Sequence, residues 1–351
     1  MSLLDELLQR FPRLRTVPLP AWVVGGAVRD LLLGITPADV DLAVSDPVAC
    51  ARATGRKVIQ LGREPLSAWR VVDQGQIYDF AEIVGGTLEK DLARRDFTIN
   101  AMAVDLASGD LIDPHHGRDD LRAGMVRMID ASNFDDDPLR MLKAVRMAVR
   151  FRFVIDPLTI EAIRARAPAI HSSAGERIGQ ELSLIFSAGR LRSAIGLLHD
   201  TGLDLPLFGE PLQPSQVQAD DVSLAASLAL IGGDPRVLAQ RWRWSGSLLH
   251  SVLVLQKLVL DHSLVSLFTA GEEIASQLPG LLRAMGADGN VPMPDFTTRP
   301  LLDGEAISRI TGLPEGRALG EIVRSLIEAQ ILGGVTTPEE AERFVRDAQP
   351  A

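Results

Sequence analysis

The hydrophobic pattern of this chain changes once, near residue 126, and this change restricts the fold more than any other feature. Before it, five short β-rich runs alternate with helical segments and with turns that contain Gly or Asp. After it, apolar residues recur three and four positions apart, between capping residues and Gly stops. The sequence therefore predicts an α/β domain with one sheet, followed by a mainly α-helical remainder.

Length and composition are those of a globular protein. The chain has 351 residues, of which 46% are hydrophobic, and this is enough for two or three domains. We predict neither a signal peptide nor a membrane span, because no basic start precedes an apolar block and no run of about 18 uncharged apolar residues occurs. The single cysteine, Cys50, excludes an internal disulfide and argues against a Cys-based zinc site. We therefore expect a cytoplasmic protein without zinc.

Charge is distributed unevenly along the chain. The net charge of −10 argues against a surface coated with basic residues. Residues 138–195 nevertheless hold ten Arg or Lys against four Asp or Glu. Two interpretations remain open for this segment, a solvated helical face and a stretch that binds a polyanion.

Two aspartates, Asp39 and Asp41, stand two positions apart in the strand-like run DVDLAV. Residues i and i+2 of a strand point to the same face, so both carboxylates should face one spot. Carboxylate oxygens of this kind suit Mg²⁺, which keeps several waters and adds substrate phosphates to its shell. Taken alone, the pair also fits a surface turn with two solvated aspartates.

A glycine turn precedes the acidic pair. In VVGGAVRDLLLG, Gly25 and Gly26 lie where a strand turns directly into a helix. Open backbone N–H groups and the helix N-terminus would form an anion site there. Arg29 can add positive charge to the same phosphates, and Asp30 can orient that arginine. A phosphate site and an acidic pair this close together indicate nucleotide chemistry.

Several motifs, in this order, resemble the signature motifs of the class II tRNA nucleotidyltransferases and bacterial poly(A) polymerases. They are GGAVRDLLLG with DVDLAV, RRDFTINAMA at 94–103, IDPHHGRDDL at 112–121, DDPLRMLKAVRMAVRF at 136–151 and GERIGQEL at 175–182. The resemblance covers nearly the whole chain. It implies a seahorse-like fold, in which an α/β head with a polymerase-β-like nucleotidyltransferase sheet is followed by an all-α neck, body and tail. The expected boundaries are 1–127 for the head, 128–208 for the neck, 209–287 for the body and 288–351 for the tail.

The resemblance also implies roles for single residues. Asp39 and Asp41 match the catalytic carboxylates that hold Mg²⁺. Asp137 and Arg140 match the protein template that reads the incoming base, because a carboxylate and a guanidinium together fit C and A but not U and G. Arg94 and Asp96 match residues at the ribose. The implied nucleotide-binding residues are Gly26, Arg29, Arg95, Asp137, Arg140, Lys143 and Arg146.

Three features leave alternatives open. Asp79 is either a third carboxylate facing the pair or an ordinary acid at a strand edge. Lys143 and Asp136 stand where the family usually has Arg and Glu, so charge is kept while reach or bidentate geometry is lost. The stretch between Asp79 and Arg94 has only a short VGG turn where full CCA-adding members carry a longer flexible loop. Members that lack the loop tend to stop after two cytidines.

These observations predict an enzyme that adds CMP to the 3′ acceptor end of tRNA, with CC addition as the main candidate and CCA addition left open. It would use CTP and ATP with Mg²⁺ and release pyrophosphate. The alternatives are a poly(A) polymerase that extends other RNA ends and a catalytically idle RNA-binding module. His199 and Asp200 could indicate an HD-type metal site, but the sequence supplies no convincing further ligands.

Overall fold

The computed structural model of the protein describes residues 2–55, 57–61 and 68–348. The chain divides into two compact units. Unit 1 comprises Met1–Ala188 and Gly196–Pro211, and unit 2 comprises Gly189–Ile195 and Leu212–Ala351. The division into head, neck, body and tail stays a prediction. None of the described helices is long and apolar enough to span a bilayer.

Unit 1 contains a seven-stranded mixed sheet and a separate pair of short strands. The strands are Ala21–Val24 (β1), Asp39–Val44 (β2), Val58–Leu61 (β3), Ala68–Asp73 (β4), Gln76–Glu82 (β5), Ala103–Asp105 (β6), Leu111–Ile112 (β7), Met125–Val126 (β8) and Val154–Ile155 (β9). The order across the sheet is β3-β4-β5-β2-β1-β6-β7, with β2 and β5 parallel and the other neighbours antiparallel. β8 and β9 pair in parallel outside this sheet.

Helices alternate with the strands in the first part of the chain and are the main elements of the rest. The helices up to residue 208 are Leu3–Arg10 (α1), Gly26–Leu32 (α2), Pro47–Thr54 (α3), Leu88–Ala93 (α4), Gly117–Ala123 (α5), Asn133–Asp136 (α6), Leu139–Phe151 (α7), Pro157–Arg166 (α8), Gly175–Phe186 (α9), Leu191–Asp200 (α10) and Asp204–Phe208 (α11). Those of residues 212–348 are Leu224–Leu230 (α12), Pro235–Trp242 (α13), Gly246–Leu260 (α14), Leu264–Ala270 (α15), Glu272–Ala275 (α16), Leu278–Ala284 (α17), Gly304–Thr311 (α18), Arg317–Ile331 (α19) and Pro338–Asp347 (α20). After residue 126 the described chain has the two-residue strand β9, and residues 212–348 contain no strand, so the predicted change from α/β to mainly helical structure is confirmed.

The five predicted β-rich runs all form strands of the sheet, since they overlap β1, β2, β4, β5 and β6. The strands β3 and β7 were not predicted. β3 is an edge strand whose four residues are partly or fully exposed, and β7 has only two residues, so neither has a strong alternating pattern.

Alternation along β2 fixes which side chains face the core. Val40 and Leu42 are buried, at 0% and 1% exposure, whereas Asp39 and Asp41 are exposed on the other face. The side-chain period of a strand is two residues, so burying the valine and leucine necessarily presents both aspartates together. The predicted common face of the acidic pair is therefore observed.

Candidate active site

A cleft of about 510 Å³ in unit 1 is lined by all nine residues that the sequence predicted as catalytic, metal-binding or nucleotide-binding. These are Gly26, Arg29, Asp39, Asp41, Arg95, Asp137, Arg140, Lys143 and Arg146. Asp96, which the resemblance had suggested for the ribose, also lines the cleft. Further lining residues are Gly25, Asp30, Thr36, Ala38, Asn100, Met147 and Arg150. Arg94, which the resemblance had suggested for the ribose, does not line the cleft. Its main-chain oxygen instead accepts a hydrogen bond from Arg140 Nη1 at 2.8 Å.

The acidic wall of the cleft is the exposed face of β2. Within the described chain, neither Asp39 nor Asp41 takes part in an ion pair. Asp79 lies directly opposite Asp41 on the neighbouring strand β5. Both of its oxygens, however, accept hydrogen bonds from Arg70, Oδ1 from Nε at 2.8 Å and Oδ2 from Nη2 at 2.6 Å. This pairing favours the interpretation of Asp79 as an ion-paired acid of the sheet over that of a third metal-binding carboxylate.

The crowding of acids changes the proton affinity of Asp41. Desolvation by the surrounding protein, together with the negative charges of Asp39 and Asp79, raises the pKa of Asp41 to about 6, against the opposing charges of Arg95 and Arg70. Water still reaches the residue from the open side of the cleft. The positive charge near Asp41 does not offset its desolvation and the neighbouring acids, and a divalent cation would add more.

The glycine turn makes room for an arginine. Gly25 has a φ of +75°, which glycine adopts readily and other residues rarely do. A Cβ atom at Gly25 would stand 2.9 Å from Arg95 Nη1 and 3.9 Å from Asp41 Oδ2. The Gly25 N–H donates to the Met102 carbonyl at 3.2 Å, so this amide is not directed at an anion as the sequence had suggested. Gly25 therefore serves mainly to let Arg95 lie next to the acidic pair.

Arg29 is held more firmly than the sequence indicated. It is 5% exposed, and its Nε and Nη2 donate to Asp30 Oδ1 at 2.8 and 2.6 Å. Its Nη1 donates to Asn100 Oδ1 at 2.6 Å, and its guanidinium lies over the Phe151 ring at 4.9 Å from the centroid. Burial lowers its pKa, although Asp30 opposes the shift. The predicted orientation of Arg29 by Asp30 is observed, and Asn100 is an orienting partner that the sequence did not reveal.

The basic wall of the cleft is one face of α7. Arg140, Lys143, Arg146 and Arg150 remain at least partly exposed, while the residues between them are buried in the core. Their spacing of three to four residues places them along one helical stripe, as predicted for the first three. Arg150 extends this stripe to the end of the helix and was not assigned to the site from the sequence.

Two charged residues of helix α9 each pair with a cleft residue of opposite charge. Arg177 Nη2 lies 3.0 Å from Asp137 Oδ2, and Arg146 Nε lies 2.7 Å from Glu181 Oε2. Both α9 residues belong to the motif GERIGQEL, to which the sequence gave no role in the site. The available signal was their spacing of four residues, which puts opposite charges on one face of a helix. Only the packing of α9 against α7 shows what they contact.

Arg140 is oriented by the main chain. Its Nη1 donates to the Asn133 carbonyl at 3.0 Å as well as to that of Arg94. No other hydrogen bond of the described residues engages its Nε or Nη2. The guanidinium is thus fixed at one amino group and keeps donors for a ligand in the cleft.

A second metal site finds no support. Among the described residues no group of three or more His, Cys, Asp or Glu side chains could hold a metal ion. His199 of the considered HD pair has its Nδ1 2.9 Å from Asp204 Oδ2 rather than forming part of such a group. The Asp39 and Asp41 pair is the donor set that fits a hard divalent ion, because water and phosphate oxygens can complete its shell.

Two family models match the chain. The model described as poly A polymerase head domain matches residues 21–127, and the model described as probable RNA and SrmB-binding site of polymerase A matches residues 152–213. The first range contains the whole seven-stranded sheet and the acidic pair.

Similar proteins carry related names. A CC-adding tRNA nucleotidyltransferase of Geobacter sulfurreducens is 30% identical, with 94% of this chain and 92% of that protein covered. An A-adding tRNA nucleotidyltransferase of Deinococcus radiodurans is 29% identical, with 97% and 98% covered. Among solved structures, the CCA-adding enzyme of Bacillus stearothermophilus in complex with CTP superposes with a TM-score of 0.77 at 26% identity, with 99% of this chain and 98% of that chain covered.

Proposed function

The chain belongs to the family of tRNA nucleotidyltransferases and poly(A) polymerases, and we propose that it adds CMP to the 3′ end of tRNA and releases pyrophosphate. The observation that carries this proposal is the cleft that is lined both by the cations of α7 and by two carboxylates of β2 without an ion-pair partner among the described residues. A triphosphate needs positive charge along its length, and the attack on its α-phosphate needs a site for a divalent ion. Since tRNA is the proposed substrate, we also propose a cytoplasmic location.

Enzymes of this family use a divalent metal ion, and we propose Mg²⁺ for this chain. Asp39 and Asp41 would hold it, because their carboxylates share one face of β2 and lack an ion-pair partner among the described residues. When bound, Mg²⁺ lowers the pKa of an attacking hydroxyl and neutralises charge on the leaving pyrophosphate. The raised pKa of Asp41 supports this role, since the acidic wall is short of positive charge.

The remaining cleft residues bind and orient the nucleotide. Arg95, Lys143 and Arg146 supply positive charge for the phosphates from two sides of the cleft. Arg29 adds charge from a buried position and stiffens the glycine turn through Asp30 and Asn100. Cations that are already held in place, such as Arg29 and Arg146, lose less side-chain entropy when a triphosphate binds.

Base selection falls to Asp137 and Arg140. A carboxylate accepts from the exocyclic amine of C or A, and a guanidinium donates to ring acceptors, whereas U and G present mismatched edges. The contact of Arg177 with Asp137 and the main-chain contacts of Arg140 support this role, because both readers are kept in defined orientations.

The number of nucleotides added depends on features outside the acidic pair. The connection between β5 and α4 is a short turn of 3₁₀ type, Val84–Gly86, which supports CC addition without a following A. A second candidate is addition of a single AMP to tRNA that already ends in CC. The A-adding relative favours it, because it is nearly as similar to this chain as the CC-adding relative.

The test is a primer-extension assay with defined substrates. The protein is incubated with tRNA lacking CCA, with tRNA ending in CC, or with oligo(A), each with CTP, ATP or both, and product lengths are read on a gel. Extension of the first tRNA by two C residues, with none of the others extended, is the expected result. A single A on tRNA ending in CC would replace CC addition by A addition, and a ladder of A residues on oligo(A) would indicate a poly(A) polymerase. No product with any primer would leave only an RNA-binding function.

A further inference from the structure

The connection between β5 and α4 is tied to the cleft by one buried carboxylate. Asp91 is 7% exposed, and its Oδ1 accepts a hydrogen bond from the Val84 N–H at 3.2 Å. Its Oδ2 accepts one from Arg95 Nη2 at 3.0 Å. One side chain thus contacts both the short turn Val84–Gly86, called the connector below, and a cation of the proposed nucleotide site.

Arg95 has little freedom where it enters the cleft. Its Nη1 lies against Gly25, so close that any larger residue there would displace it. Its Nε is buried and has no hydrogen-bond partner in the part of the chain that the structure describes. A buried donor without a partner is unfavourable, so other contacts must hold the guanidinium in this place. The contact with Asp91 is the charge-assisted one among them.

The connector presents the Val84 N–H to Asp91 because it turns sharply. Gly85 and Gly86 have φ values of +77° and +79°, which glycine tolerates at no steric cost. Thr87 then caps α4 through its side chain and so fixes the start of the helix that carries Asp91. The length and conformation of the connector therefore bear directly on the position of Asp91.

We propose that Asp91 is a positioning residue that sets the place of Arg95 in the nucleotide site and couples it to the connector. The inference rests on the proposed function, in which Arg95 binds the phosphates of the incoming nucleotide. Asp91 does not line the cleft and acts on the nucleotide only through Arg95. By holding Nη2, it leaves Nη1 beside Gly25, on the side of the acidic pair.

Two substitutions separate the two hydrogen bonds. Asp91→Asn keeps an oxygen that can accept from the Val84 N–H but removes the negative charge that pairs with Arg95. Val84→Pro removes the N–H donor and leaves the charge of Asp91 in place. Ile83, with φ −64° and ψ 118°, already has the extended conformation that residues before proline adopt. Glu89→Gln is the matched control, because it removes a carboxylate from an exposed position of the same helix.

The readouts are the KM and kcat for CTP with tRNA lacking CCA, and the Kd for CTP measured without turnover. We expect Asp91→Asn to raise KM and Kd about tenfold, the loss of one charge-assisted contact, with kcat changed less than about twofold. Val84→Pro should raise both about twofold to threefold, as expected for a neutral hydrogen bond. Glu89→Gln should change neither. Asp91→Asn should add nothing to Arg95→Gln, because the two residues act as one unit.

Wild-type KM and Kd in Asp91→Asn would overturn the inference, even with a lower melting temperature, because Asp91 would then serve folding alone. Should that variant fail to fold, Val84→Pro decides, and unchanged values there overturn the inference equally. A different result separates the two levels of the argument. If Arg95→Gln itself binds CTP normally, the role proposed for Arg95 fails and the inference falls with it.

Discussion

The two walls of the cleft use charge in opposite ways. On β2, Asp39 and Asp41 face the cleft without an ion-pair partner in the described chain. On α7, Arg146 is paired with Glu181, and Arg140 is fixed by main-chain oxygens. The acidic wall therefore offers its carboxylates to a cation from outside the protein, whereas Arg140 and Arg146 of the basic wall are already held in place. Fixed cations preorganise the site for a triphosphate, and unpaired carboxylates keep it ready for metal.

Removing the acidic wall should have the largest effect. We expect the double variant Asp39→Ala, Asp41→Ala to lose at least about a thousandfold in the rate of CMP incorporation, because the ion that activates the hydroxyl is no longer held. Single-turnover extension of tRNA lacking CCA measures this. Asp46→Asn is the control, since Asp46 caps α3 just beyond β2 and Asn also caps helices well. A residual rate within tenfold of wild type would contradict the contrast between the walls.

Arg140, at the start of the basic wall, should control the choice of nucleotide more than the rate of CMP incorporation. We expect Arg140→Ala to reduce the preference for CTP over UTP by about a hundredfold, because the base loses a fixed donor. Arg177→Ala should reduce it by about tenfold, since it acts only by orienting Asp137. Competition assays with mixed nucleotides measure both. An unchanged preference in Arg140→Ala would mean that the base is read elsewhere.

Removing the ion pair between Arg146 and Glu181 should lower the free energy of unfolding. Glu181→Gln leaves the Arg146 guanidinium partly buried without its anion, and we expect a loss of about 2 kcal/mol in the free energy of unfolding. Chemical denaturation measures it, with Glu176→Gln on the exposed first turn of α9 as control. Equal stability of the two variants would show that the basic wall does not depend on this ion pair.

The smallest expected effect is a pH dependence that belongs to the acidic wall. The pKa of Asp41 is raised from 3.8 to about 6. Without divalent metal, the contribution of Asp41 to the free energy of unfolding is therefore fully present below about pH 4 and is lost as pH rises through 6. Asp41→Asn removes this loss. We expect it to be more stable than wild type by about 1 kcal/mol at pH 8, after allowance for solvent screening, and equal at pH 4.

Thermal unfolding with and without Mg²⁺ measures this difference. Added Mg²⁺ should stabilise the wild-type protein at pH 8 and should stabilise Asp41→Asn much less, because binding to the native state alone shifts unfolding. Equal stabilisation of both would place the ion away from Asp41.

Local periodicity predicted which charged side chains of β2 and α7 share a face. The spacing of two in β2 predicts that Asp39 and Asp41 share a face, and the spacing of three in α7 predicts the stripe that begins with Arg140. Both patterns follow from the geometry of a single element. The glycine turn was predicted from its own residues, and the resemblance then added Arg95 and the basic stripe to the same site.

Contacts between elements could not be predicted in this way. The ion pair of Arg70 with Asp79 depends on the register of β4 against β5. The contact of Arg177 with Asp137 depends on how α9 packs against the residues that precede α7. In the sequence, Asp91 is an acid within a helix like many others. Its partners Val84, seven residues before it, and Arg95, four residues after it, become evident only in the structure.

The sequence alone determined the order of sheet and helices, the common face of the acidic pair and the basic stripe, because strand and helix periods are properties of a single segment. Only the tertiary structure decided which of these charges are neutralised and which face the cleft unpaired. That choice depends on burial and on neighbours distant in sequence, and it distinguishes residues that hold the site from residues that await a ligand.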